Sequence, residues 1–245
     1  TDVSGLMNWE PENEVWELYN LENDYSQSKD LAKENPEKLA ELKAIFDEEA
    51  TDNHVYPVGA SYYTVLFNPS EMPSSPLTEW SFYEGQDRIP EAMAPKFASG
   101  RSTLAVIDAE IGQGAEGVLF AVGGISSGFT VYMDNGFLKA EYNAMTMNRY
   151  KVASQSALPT GKVKIEVETL YDTKERLAPA TVTLRVNGNE VGQGRIERSV
   201  PSVHTASETF DVGVDLGSPV SLDYYDRAPF RFNGKINKID IKYLN

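Results

Sequence analysis

Few residues in this chain combine the type and spacing that chemistry needs. In "KVKIEVET", Glu166 and Glu168 stand at i and i+2 of a period-two run, so both project from one strand face. Two neighbouring carboxyls are the acid and the nucleophile of glycoside hydrolysis. Lys164 shares that face, however, and the glycosidase pattern E-x-D-x-x-E is absent, so the pair reads as a solvated face. His54 and His204 lie 150 positions apart, and no G-x-S-x-G nucleophile elbow occurs. They read as hydrogen-bonded or solvent-facing imidazoles. Cysteine is absent, which removes disulfides, thiolate metal sites and cysteine nucleophiles together. No residue is assigned a catalytic role.

Calcium is the ion this composition suits, because it takes carboxylate, amide and carbonyl oxygens. The turn Asn23-Asp24-Tyr25-Ser26 and the loop Asp223-Tyr224-Tyr225-Asp226 offer such oxygens, with Asp223 and Asp226 the candidate ligands. Neither is an EF-hand, and turns of this kind commonly cap their own backbone. Sugar binding needs aromatic faces with amides or carboxylates nearby. Tyr142, Asn143, Tyr150, Tyr224 and Tyr225 are the candidates, and packing explains the same tyrosines.

These residues need elements to position them. Residues 15–21, "VWELYNL", read as a strand, followed by a turn rich in side-chain oxygens and a helical turn at "KDLAKE". Asn35 is an N-cap and Pro36 the first helical residue, where a missing N–H costs nothing. Leu39, Leu42, Phe46 and Ala50 then make one apolar face, and Pro57 lies beyond the end. One strand and one helix cannot enclose a core. That face is therefore expected to be covered by the linker, by the following domain or by a second copy of the chain. Residues 58–98 form a long irregular linker punctuated by prolines, laid on a surface by Trp80, Phe82 and Tyr83, with one strand in "TEWSFYEG".

From Ser99 the apolar period becomes two. "STLAVIDAEI" and "KVKIEVET" alternate, whereas "GVLFAV" is continuously apolar, as a strand buried on both faces must be. Asn135-Gly136 and Asn187-Gly188 mark hairpins, because Asn-Gly accepts positive φ at both turn positions. Seven or more short strands with glycine turns specify an antiparallel concanavalin- or lectin-like β-sandwich over 99–245. The fold class is mainly β: a strand-turn-helix segment (1–57), a linker (58–98) and the sandwich. The net charge of −15 is divided unevenly, with 20 acidic against 6 basic residues before position 99 and 17 against 16 after it. So acidic a chain is a poor partner for nucleic acid, and no apolar run approaches the roughly 18 residues of a membrane helix.

"VWELYNLENDYSQSKDLAKENPEKLAELKAIFDEEA" resembles the segment that closes the small C-terminal subdomain of bacterial type I arylsulfatases. "YEGQDRIPEAMAP", "GAEGVLFAVGG", "LPTGKVKIEVE", "VNGNEVGQGRIERSVP" and "ETFDVGVDLGSPVSLDYYDRAPFRFNGKINKI" resemble the extra sandwich that follows in the large members. The resemblance implies a parent sulfuric ester hydrolase, periplasmic or secreted, with calcium and a formylglycine nucleophile in its catalytic domain. This chain has no C/S-x-P-x-R motif. The nearest serine form, Ser199-Val200-Pro201-Ser202-Val203, lacks the arginine, and Asp52-Asn53 is out of context as a ligand pair. No catalytic or cofactor-binding residue can be carried over. The reading is a non-catalytic C-terminal portion that packs on a parent catalytic domain or mediates oligomer contacts. The alternative is an autonomous carbohydrate-binding, lectin-like module.

Overall fold

The computed structural model describes residues 14–55, 75–98, 100–205 and 207–244. The chain divides into two compact units, Thr1–Met72 and Pro73–Asn245. Pro57 and the linker as far as residue 74 lie outside the described residues.

In the first unit, residues 15–21 are not a strand; no ladder partner lies beside them among the described residues. The segment is held instead by its own downstream turn. Leu31 N–H donates to the Leu18 carbonyl (2.7 Å), and Leu18 N–H donates to Asp30 Oδ1 (2.9 Å). Helix α1 (Pro36–Asp52) has Pro36 in its first turn. Asn35 occupies the N-cap position without a side-chain cap bond. Only Ala50 of the helix is buried, and Leu42, Ile45 and Phe46 are exposed. Trp16 meets Phe46 edge-on at 5.4 Å, with the Lys43 ammonium 5.2 Å above the indole. Among the described residues no helix is long and apolar enough to cross a membrane.

The second unit is an antiparallel β-sandwich. Its strands are β1 (Glu79–Phe82), β2 (Ile89–Pro90), β3 (Thr103–Ile111), β4 (Gly117–Gly123), β5 (Gly128–Asp134) and β6 (Phe137–Ala144). They continue with β7 (Asn148–Ala153), β8 (Gly161–Tyr171), β9 (Ala180–Val186), β10 (Asn189–Ile196), β11 (Thr209–Val212) and β12 (Lys235–Tyr243). One six-stranded sheet has the order β1-β12-β3-β8-β9-β10, the other β2-β11-β4-β5-β6-β7. Alternation decides which side chains enter the core. Ala105, Ile107, Ala109 and Ile111 of β3 are buried beside Val163, Ile165 and Val167 of β8.

The second sheet is covered on both faces. Phe120, Val122, Phe129 and Val131 point to the shared core. Val118, Ala121 and Tyr132 instead join Val220, Tyr224 and Phe230 in a separate cluster, so residues 220–230 lie over the outer face. This is why β4 is buried at every position and reads as a continuous apolar run. Both Asn-Gly hairpins form, with Asn135 at φ 51 and Asn187 at φ 50. A third turn of the same hand joins β6 to β7 through Met145 (φ 55) and Thr146 (φ 61), residue types that give no turn signal.

The sandwich takes up chain from before residue 99. β1 pairs with β12 in register Trp80 to Ile241 and Phe82 to Ile239, and β2 pairs with β11. Phe97 packs at 5.4 Å from Phe120 and 5.1 Å from Phe129, inside the core. The described part of the proline-rich stretch is thus woven into both sheets.

Candidate functional site

The residues that looked suited to ions and sugars are mostly structural. Asp24 accepts the N–H groups of Lys29 (2.8 Å) and Ser28 (2.9 Å) and the hydroxyls of Ser26 and Ser28. Those bonds lower its carboxyl to about 2 and use its lone pairs on its own turn. Asp223 faces two ammonium groups and a phenol hydroxyl. Lys151 pairs with it, Lys139 lies at 3.7 Å, and Tyr132 Oη donates to it at 2.8 Å. A site already holding two ammonium groups repels calcium, which corrects the calcium reading of that loop. Asp226 stays exposed. Among the described residues no group of three or more His, Cys, Asp or Glu side chains is placed to hold a metal ion.

Three of the five sugar candidates are corrected by burial. Tyr142 sits in the core and its Oη accepts Val200 N–H at 3.0 Å. Asn143 donates to the carbonyls of Ile125 (2.8 Å) and Gly124 (3.2 Å). Tyr224 Oη donates to Asp215 Oδ2 at 2.6 Å under the outer-face cover. A sugar could reach none of them. Tyr150 is half-buried against the core, and only Tyr225 is exposed. Glu166 and Glu168 face outward on β8, near Lys164 (3.9 Å) and Arg185 (3.1 Å) respectively. Ser199, of the short serine string, is buried. His204 is buried as well, its Nδ1 3.0 Å from Ser127 Oγ, which donates onward to the Asn143 carbonyl. The direction of the Nδ1–Ser127 contact follows the imidazole tautomer, and the Phe97 backbone faces the same ring.

The outer face of the second sheet carries an ion network. Glu141 on β6 is fully buried and accepts Arg149 Nη1 at 2.7 Å and the Ser221 hydroxyl, with Lys151 Nζ at 3.4 Å. Arg149 also donates to the Val220 carbonyl at 2.6 Å. Asp134 pairs with Lys139 (2.8 Å) and Arg227 (3.1 Å). The bonds of Ser221, Val220 and Arg227 join the covering segment to the sheet, while those among Glu141, Arg149, Lys151, Asp134 and Lys139 tie its strands together. The network is a clamp that fastens residues 220–227 over the apolar cluster.

Two buried groups beneath these layers titrate in opposite senses. Burial pushes Asp215 up to about 7, although Tyr224 and Val220 donate to it. Burial pushes His204 down to about 4. The raised Asp215 contributes stability that is full below its unfolded pKa of about 3.9 and lost as pH rises through 7. The depressed His204 contributes stability that is full above about 6.5 and lost as pH falls through 4. Over pH 4–6.5 the two slopes oppose each other. Asp215→Asn is therefore expected to make stability rise more steeply with pH across that window than in the parent. His204→Gln should make it fall instead. Urea titrations at half-unit pH steps check the slopes; parallel curves for all three proteins would refute the assignment.

A second kind of site lies at one end of the first sheet. There β1 begins, β12 and β8 end and β3 begins, and their termini enclose a pocket of about 450 Å³. Its lining includes the hydroxyl-bearing Thr78, Ser102, Tyr171, Thr173 and Tyr243 and the cationic Arg101 and Lys174. The walls are tied by backbone bonds, Tyr243 N–H to Thr78 O (3.0 Å) and Leu244 N–H to Ser102 O (2.9 Å). Ser102 Oγ accepts Tyr171 N–H at 3.0 Å, joining β3 to β8. Gly100 (φ +68) permits the closest approach, since a Cβ there would lie 2.7 Å from the Lys174 carbonyl carbon. Arg101 stacks over the Tyr243 ring at 4.5 Å, and Trp80 meets that ring edge-on at 5.0 Å. Tyr243 Oη accepts Lys96 N–H at 3.0 Å. Asp172, the acid in the wall, is held by Arg195 in a two-pronged contact. The volume falls within the range of about 300–1,000 Å³ common for small-ligand sites.

None of these pocket residues stood out in the sequence. They come from four separated stretches, and only the antiparallel pairing of β1, β12, β3 and β8 brings them together.

No protein-family model matches the chain. No curated protein matches it either. Several solved structures have a similar path. The CBM40 of a Ruminococcus gnavus IT-sialidase, bound to α2,3-sialyllactose, is 16% identical over 60% of this chain and 79% of that one, at a TM-score of 0.44. Domains LG4-5 of the mouse laminin α1 chain are 14% identical over 68% of this chain and 42% of that one, also at 0.44. A leech intramolecular trans-sialidase is 17% identical over 69% of this chain and 26% of that one, again at 0.44.

Proposed function

We propose that the sandwich is a non-catalytic, lectin-like module that binds carbohydrate in the pocket at the ends of β1, β12, β3 and β8. The observation that carries this reading is the pocket's make-up: five hydroxyl-bearing residues and two cations line about 450 Å³, on a wall tied by backbone bonds. Saccharides are bound by such convergent polar groups on a pre-formed frame. Nothing in the wall pairs a nucleophile with a base, since its acid, Asp172, is engaged with Arg195. The test is titration of the full chain with a glycan panel, followed by ¹⁵N chemical shifts. The expected result is saturable binding, with the largest shifts at Gly100–Ser102 and Asp172–Lys174. Thr173→Trp, which fills the pocket from an exposed position, should abolish it without changing the melting temperature. Binding that survives this substitution would place the site elsewhere.

A second reading is favoured by the first unit. Leu42, Ile45 and Phe46 are each more than a third exposed on α1, an apolar stripe suited to a larger domain. The chain would then be the C-terminal portion of an arylsulfatase, periplasmic or secreted, with calcium and formylglycine confined to the parent's catalytic domain. The two readings agree that this chain does no chemistry. An aryl sulfate incubated with it and calcium should stay intact, and turnover would overturn both.

A further inference from the structure

The charges around the strand-end pocket do not balance. Arg101 and Lys174 line it, and among the described residues neither has an ion-pair partner. The acid in the wall, Asp172, is neutralised by Arg195. A third cation, Lys96, adjoins Tyr243 through its backbone N–H. Burial and the neighbouring Arg101 charge depress the Lys96 ammonium, against the opposing pull of the Glu91 carboxylate. Arg101 is also pre-positioned: its guanidinium is stacked on Tyr243, which leaves its N–H edges to donate while little rotamer freedom remains to be lost.

From this geometry we infer that the pocket selects an acidic saccharide, one whose carboxylate or sulfate is received by Arg101 and Lys174 while its hydroxyls meet Thr78, Ser102 and Thr173. The inference rests on the carbohydrate-binding reading and adds the charge of the ligand to it. A guanidinium such as that of Arg101 can make the two-pronged contact that planar oxyanions favour, and Lys174, whose backbone adjoins Gly100, supplies the second charge.

Three galactose-based tetrasaccharides test it with the full chain: neutral, sulfated and galacturonate. Either or both acidic forms should bind at least tenfold more tightly than the neutral one at low salt, and whichever binds better names the oxyanion. The preference should shrink as salt rises from 20 to 300 mM, as for any pair of exposed charges. Arg101→Gln and Lys174→Gln should each cut affinity for the acidic form on the order of tenfold and affinity for the neutral form by much less, so that the acidic-over-neutral ratio falls toward one. Far-ultraviolet circular dichroism and melting temperature verify that both variants fold. Equal binding of neutral and acidic forms overturns the charge inference and leaves the carbohydrate reading standing. Failure of all three at millimolar concentration overturns both. Inorganic sulfate that displaces the sulfated sugar at equal concentration would overturn the part played by the hydroxyl groups.

Discussion

Glu141→Ala is expected to destabilise the protein by about 3–5 kcal/mol, the cost typical of breaking a buried ion pair from one side. Glu141 has no exposed surface and receives Arg149, Lys151 and the Ser221 hydroxyl. Its removal leaves the Arg149 guanidinium beneath the cover with only carbonyl oxygens, those of Val220 and Ile125, to answer its charge. The Ser221 contact would be lost with it, one of the bonds that hold the 220–227 cover. Urea denaturation gives the number, and a loss below 1 kcal/mol would mean that the network does not clamp the cover. The double variant Glu141→Leu with Arg149→Met separates charge from packing. Replacing both partners by apolar groups of similar volume is often close to neutral, so it should recover most of the loss.

Phe97→Ala should cost about 3–5 kcal/mol as well, the range for deleting a buried aromatic ring. Phe97 is 2% exposed and touches Phe120 and Phe129, and Phe120 in turn stacks on Phe210 at 5.8 Å. Its deletion opens a cavity in the row of rings between the sheets. A chain beginning at residue 99 would lose that ring and also β1 and β2. Without β1, β12 becomes an edge, and Trp80 and Phe82 no longer cover that side of the core. This shortened chain is expected to aggregate or to melt well below the full one. If it matched the full chain in melting temperature and solubility, β1 and Phe97 would be ornaments on a sandwich complete without them.

What the sequence determined was local. The period-two alternation of "STLAVIDAEI" and "KVKIEVET", the Asn-Gly turns at 135 and 187 and the Pro36 start of α1 are set by residues within a few positions of one another. The continuous run "GVLFAV" even announced a strand covered on both faces. What only the tertiary structure decided depended on partners distant in the chain. Residues 15–21 have strand composition, yet among the described residues no ladder partner lies beside them, and a strand is a pairing rather than a propensity. Tyr142, Asn143 and Tyr224 look like sugar contacts by type, but Val200, Ile125 and Asp215 claim their polar atoms inside the protein. Asp223 looks like a calcium ligand until β5, β6 and β7 deliver Tyr132, Lys139 and Lys151 to it. The strand-end pocket is the clearest case. Thr78, Arg101, Lys174 and Tyr243 share no motif, and they converge because antiparallel neighbours return the chain to the same end of a sheet.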